Sequence, residues 1–155
     1  MKQTLWYRLF KRPRFPAALA EAAPGALLAQ EGVSVKVSAS DVRAKGLRVS
    51  RSVRLTNGSI VVRDRDTVLA AIRNRMLLGP GGRPATLRFA EDGIHIVVDV
   101  AEFADGASGR VEIVFRGPVD AAVLAAMGTE ERAVTLAHGA SLRQWLGGGS
   151  AAVAG

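Results

Sequence analysis

The sequence predicts an α+β domain: a mainly antiparallel sheet of about five to six strands with helices packed chiefly on one face. Three observations predict it. Residues 85–116 hold three consecutive period-2 apolar runs, which specify an antiparallel meander with one apolar face. Residues 33–63 hold further alternating runs around Asn57-Gly58, a dipeptide that favours a tight hairpin. Val68, Leu69, Ile72 and Met76 recur at helical spacing and supply a helix to cover the sheet.

The chain opens on residues 1–14, MKQTLWYRLFKRPR. Leu5, Trp6, Leu9 and Phe10 share one helical face, and Lys2, Arg8, Lys11 and Arg12 take the other. Pro13 ends the element before Arg14. A helix of about ten residues does not hold alone in water, so this one needs a surface. Either the domain's own core or an anionic membrane interface would serve, the latter with Trp6, Tyr7 and Phe10 at headgroup level. Residues 16–23 form a short Ala-rich helix opened by Pro16, and residues 26–31 a further turn closed by Gly32. Residues 1–32 therefore read as a basic, amphipathic N-terminal helical segment. Residues 33–146 read as a single α+β domain, and 147–155 as a flexible Gly/Ala tail.

Val33, Val35 and Val37 make a strand with one wet face, and Ser40 or Asp41 caps a short turn through Ala44. Leu47, Val49, Val53 and Leu55 then point inward, which turns Arg48 and Arg54 outward. Arg51 breaks that phase and marks a bulge or bend. Residues 60–63 return from the Asn57-Gly58 turn. Asp64 and Asp66 supply capping oxygens to a helix over 67–78, which Gly79 and Pro80 stop.

In the meander, Ala85, Leu87 and Phe89 precede a turn at Glu91-Asp92-Gly93. Ile94, Ile96, Val98 and Val100 follow, then Val111, Ile113 and Phe115. Leu87, Phe89, Ile96, Val98, Ile113 and Phe115 should be buried beneath helices 67–78 and 118–127. Val61, Val97 and Val114 sit on the nominally polar face, so part of that face is covered, lines an apolar cavity or joins a partner sheet. Helices over 118–127 and from Thr129 to Gly139 follow, then a last turn capped by Ser141 and carrying Leu142, Trp145 and Leu146.

The totals restrict function. The chain has 155 residues, the length of one domain, and no cysteine, which removes disulfides, thiolate metal sites and cysteine nucleophiles. No apolar run is long enough to cross a bilayer as a helix. The basic start fits a secretory signal, but Glu21 and Pro24 interrupt the apolar region that must follow. A cytoplasmic, membrane-peripheral address is expected.

The charge is uneven. Residues 1–88 carry 17 Lys/Arg against 5 Asp/Glu, whereas residues 89–155 carry 4 against 9. A half that basic calls for an anionic partner, unless the Arg serves only as a solubilising residue. Between Arg43 and Arg88 there are eleven basic residues and two acidic ones.

Chemistry-bearing constellations are otherwise lacking. His95 lies beside Asp99 on one strand face, with no nucleophile at readable spacing. Residues 79–84, GPGGRP, lack the Lys-Ser/Thr of a phosphate loop and follow a helix instead of opening one. Asp64 and Asp66 do not continue into a calcium loop. No catalytic residue, metal ligand or cofactor is expected.

The reading is a non-enzymatic binding or adaptor domain peripheral to anionic membrane lipid. Its anion- or lipid-binding residues are Lys2, Trp6, Arg8, Phe10, Lys11, Arg12, Arg14, Arg48, Arg54 and Arg88; Lys36 faces outward on the first strand, and Arg63 and Arg116 join that face if the registers agree. The partners are anionic lipid or another polyanion. Nucleic acid held by Arg on phosphates, a protein partner and a homo-oligomer remain options, as does an apolar-ligand carrier if the three valines line a cavity.

Overall fold

The computed structural model describes residues 16–146. Eight antiparallel strands close into a barrel: β1 (Leu28–Ala44), β2 (Leu47–Val62), β3 (Val68–Ile72), β4 (Arg75–Leu78), β5 (Gly81–Ala90), β6 (Gly93–Asp99), β7 (Ser108–Arg116) and β8 (Arg132–Ala137). Around the wall the order is β1-β2-β3-β4-β8-β5-β6-β7, and β7 pairs back on β1. Helices are short: α1 (Ala17–Ala22), α2 (Ala121–Met127) and α3 (Leu142–Leu146), with a 3₁₀ turn over Val100–Glu102.

This corrects the expected α+β fold. The meander is there, and its six named residues are fully buried. What covers its apolar face is the rest of the same sheet, curled round until the inner faces meet. Inner side chains from every strand form one core, including Val35, Ile60, Ile72, Leu78, Leu87, Ile96, Ile113 and Leu136. At about eight strands a barrel interior is just wide enough for side chains to fill.

The expected helix over 67–78 is instead the β3–β4 hairpin, turning at Arg73, which has φ +56°. The misreading has a physical cause. Both faces of β3 are covered: Ala70 and Ile72 join the barrel core, while Ala71 packs under α1 with Leu19 and Val61. A strand buried on both sides loses its alternation and reads as a continuous apolar run. The expected helix from Thr129 is strand β8, with Val134 and Leu136 against the core.

Asn57-Gly58 is not a turn. Both residues lie within β2, opposite Ser34 and Val33. The hairpin turns at Lys45-Gly46, where Gly46 has φ +72°. Gly58 is glycine because of space. A Cβ there would stand 2.6 Å from the Ala71 carbonyl oxygen and 2.9 Å from the Phe115 ring.

The ends of the barrel are plugged. Gly117 and Val119 donate backbone hydrogen bonds to Asp92 and Glu91, which sets α2 at the β5–β6 turn with Val123 and Met127 in the core. α3 closes the end under the β1–β2 turn with Leu142, Trp145 and Leu146. Phe103 meets Trp145 edge-on at 6.0 Å between ring centres, and Arg83 lies over the Phe103 ring at 5.2 Å.

Candidate binding surface

β1 and β2 form the longest hairpin, and β3 pairs with β2 only over Gly58–Val62. Asp41 has φ +50°, and the β1–β7 register shifts between Ser40 and Arg43. This bulge reverses the facing of the hairpin. Val35, Val37 and Ala39 point inward before it, and Val42 after it. Directly opposed residues share a face. Arg54, opposite Val37, therefore lies on the inner side of β2, and Val53 and Leu55, opposite Ser38 and Lys36, lie outside.

The expected orientation is thus reversed past Arg51. Arg54 is half-buried, and its guanidinium donates to the Trp145 carbonyl oxygen at 3.5 Å. Val53 is 56% exposed and Leu55 63% exposed. On the outer face of the same hairpin Lys36 lies opposite Leu55 and Arg51 follows along the strand from Val53, while Arg48, Arg43 and Lys45 stand further on towards the turn, all exposed, with Asp41 the one acidic residue between positions 36 and 55. Arg73 reaches in from the β3–β4 turn, its Nε donating to the Thr56 hydroxyl at 3.4 Å. Arg143 donates to the Gly46 carbonyl oxygen at 2.9 Å and brings another guanidinium under the tip.

The remaining expected site residues are spread out. Arg48 is exposed opposite Arg43 near the tip, so the hairpin gathers it with its neighbours. Arg88 is half-buried on the outer face of β5 opposite His95. In the next rows His95 pairs with Val114, and Val114 with Lys36, which carries that stripe of the wall from Arg88 round to Leu55. Lys2, Trp6, Arg8, Phe10, Lys11, Arg12 and Arg14 lie outside the described residues. Arg63 donates to the Ala22 carbonyl oxygen at 3.3 Å beside α1, away from the hairpin tip.

His95 does not pair with Asp99. Its Nε2–H donates to Asp92 Oδ1 at 3.1 Å, and that hydrogen bond holds the Asp92 carboxyl below its ordinary value. Asp99 instead accepts from the Ala101 N–H, capping the 3₁₀ turn. Among the described residues no group of three His, Cys, Asp or Glu is placed to hold a metal ion. None of the described helices is long and apolar enough to cross a membrane.

Val61, Val97 and Val114 do not line an interior cavity. Val61 packs under α1, and the other two stand on the outer face of β6 and β7. A closed β-barrel is nonetheless a fold compatible with carrying a small apolar ligand.

Fold and surface together define a small closed antiparallel barrel carrying a basic hairpin with an exposed apolar pair. Compared with known proteins, the chain matches no family model, no curated protein and no solved structure.

Proposed function

We propose that the protein is a non-enzymatic binding module that docks on anionic membrane lipid through the β1–β2 hairpin. The observation that supports this reading is that exposed Val53 and Leu55 share the outer face of one long hairpin with a row of exposed cations that runs on to its turn. Neither half suffices. Five cations near a charged bilayer contribute about 1 kcal/mol each, an affinity little better than about millimolar. Burying the remaining exposed parts of a valine and a leucine adds about 1 kcal/mol apiece. The sum, about 7 kcal/mol, corresponds to roughly 10 μM. The anionic cytoplasmic leaflet is the natural surface for such a hairpin face.

Nucleic acid would use the same cations but gains nothing from Val53 and Leu55. Single-strand binders add stacking aromatics, and the hairpin has none between positions 36 and 55.

The test is co-sedimentation of the full chain with phosphatidylcholine vesicles with and without phosphatidylserine. Binding should require phosphatidylserine and weaken about 30-fold in the Val53→Ser/Leu55→Ser variant. It should be lost in Arg48→Glu/Arg51→Glu. Equal binding by the charge-reversed variant overturns the proposal. So does a chain that ignores vesicles but binds a single-stranded oligonucleotide.

A further inference from the structure

β4 is four residues long and meets β8 at one residue pair, Leu78 opposite Leu136. One more link follows: Gly79 N–H donates to the Thr135 carbonyl oxygen, and the Thr135 hydroxyl donates to the Gly79 carbonyl oxygen at 2.7 Å. The chain then leaves at Pro80. Beyond that level the start of β3 and the start of β8 stand across a gap with no ladder between them. The gap is a groove of about 870 Å³, within the roughly 300–1,000 Å³ typical of small-molecule sites.

Its walls and mouth differ in chemistry. Val68, Leu69, Val134, Pro80 and Pro84 line it. Val68 and Val134 pack directly on the barrel core, so the floor of the groove is the edge of the apolar interior. The two prolines have no N–H, so that part of the wall presents no unpaired donor. Arg65, Arg132 and Asp66 stand at the mouth. Arg132 is held there by two backbone acceptors, donating to the Arg65 carbonyl oxygen and to the Met127 carbonyl oxygen at 2.6 Å each. Two guanidinium groups against one carboxylate leave a net positive mouth.

We infer that this seam is a binding site for a single-chain anionic amphiphile, a fatty-acid-like molecule. Its chain lies against Val68, Leu69 and Val134, and its carboxylate faces Arg65 and Arg132. Guanidinium and carboxylate match in planar, two-point geometry, and the side chains of Val68, Leu69, Val134 and the two prolines give an apolar chain a surface to lie against. The site shares no residue with the β1–β2 hairpin and stands or falls apart from the membrane reading.

The experiment is fluorescence titration of the full chain with cis-parinaric acid, kept below its micelle concentration and without vesicles. Saturable binding at one molecule per chain is expected. Val134→Trp, which fills the groove, should weaken it at least 10-fold. Arg65→Glu, at an exposed position that leaves folding intact, should weaken it about 10-fold while leaving the binding of a long-chain alcohol unchanged. Val53→Ser/Leu55→Ser should bind like the native chain. Absence of saturable binding overturns the inference. Full affinity in Arg65→Glu overturns it even if Val134→Trp fails to fold, because it removes the anionic end from the site.

Discussion

Replacing Gly58 by alanine tests how tightly the barrel is closed. In an open strand, alanine in place of glycine would stabilise by about 0.5–1 kcal/mol, because it restricts the unfolded chain. Here the new Cβ would stand 2.6 Å from the Ala71 carbonyl oxygen, 2.8 Å from Val35 Cγ2 and 2.9 Å from Phe115 Cε1. Ala71 lies in the β2–β3 ladder, opposite Ser59, so that oxygen cannot retreat without loosening the pairing. Val35 and Phe115 are fully buried. Overpacking a tight interior costs about 1–3 kcal/mol, and one of these three contacts is backbone, so the upper part of that range applies. The net cost of Gly58→Ala is then about 1–2 kcal/mol, or a Tm lowered by about 2–8 °C for a chain of this length. Gly58→Val should cost more. Urea denaturation followed by far-UV circular dichroism measures it. Asn57→Ala is the control: at a hairpin tip both residues would carry the turn, whereas within a strand the asparagine should change little. A Gly58→Ala chain as stable as the native one, or an Asn57→Ala chain that is equally damaged, would refute the reasoning.

Four other outcomes are expected. Ser59 is fully buried, and its hydroxyl has no hydrogen-bond partner among the described residues, so Ser59→Ala should raise stability by about 1 kcal/mol in the same denaturation assay. Trp145→Ala should cost about 3–5 kcal/mol, because it empties the plug between Phe103 and the β1–β2 hairpin and leaves Arg54 beside a loosened chain. Val53→Ser/Leu55→Ser should leave the denaturation midpoint within about 0.5 kcal/mol of the native value, as both side chains are exposed. His95→Phe should bring the Asp92 carboxyl back up to the ordinary carboxylate range, read by NMR titration. In the native chain that lowered value stabilises the fold above the ordinary carboxylate value. The contribution is lost as pH falls through the lower folded value, and it is small because Asp92 is exposed.

The parts of the fold legible in the sequence are those with one dry face and one wet one. β5, β6 and β7 alternate cleanly because their outer faces carry Arg88, His95 and Glu112 in partial contact with water. The strand at Val33–Val37 is legible for the same reason, and the short helix after Pro16 from its opening residue and alanine run. β3 is not, because α1 covers its second face and erases the period. Closure is not legible either, since an apolar face says only that something covers it. On the hairpin, the break at Arg51 is visible as a break. Which way the facing changes depends on Asp41, whose left-handed backbone leaves no mark in the residue pattern. That is why the residue pattern places Arg54 outside and Leu55 inside. The hairpin cations are visible as a cluster in the chain, but the exposure of an apolar pair on the same outer face is a property of the bulge.

The place of β8 in the wall has a consequence for how the chain comes to be folded. The last strand in sequence is inserted between β4 and β5, which are joined by a short connection and are not each other's neighbours in the wall. During synthesis β1–β4 and β5–β7 can each pair internally, and β7 can reach β1, before residue 132 has been made. What exists then is a curled sheet with two free margins, β4 and β5, and an apolar lining open to solvent between them. Unpaired margins of this kind recruit strands from other chains. The six residues Arg132–Ala137 act as the final stave. Any truncation that removes them should therefore yield aggregated protein in place of a smaller folded one.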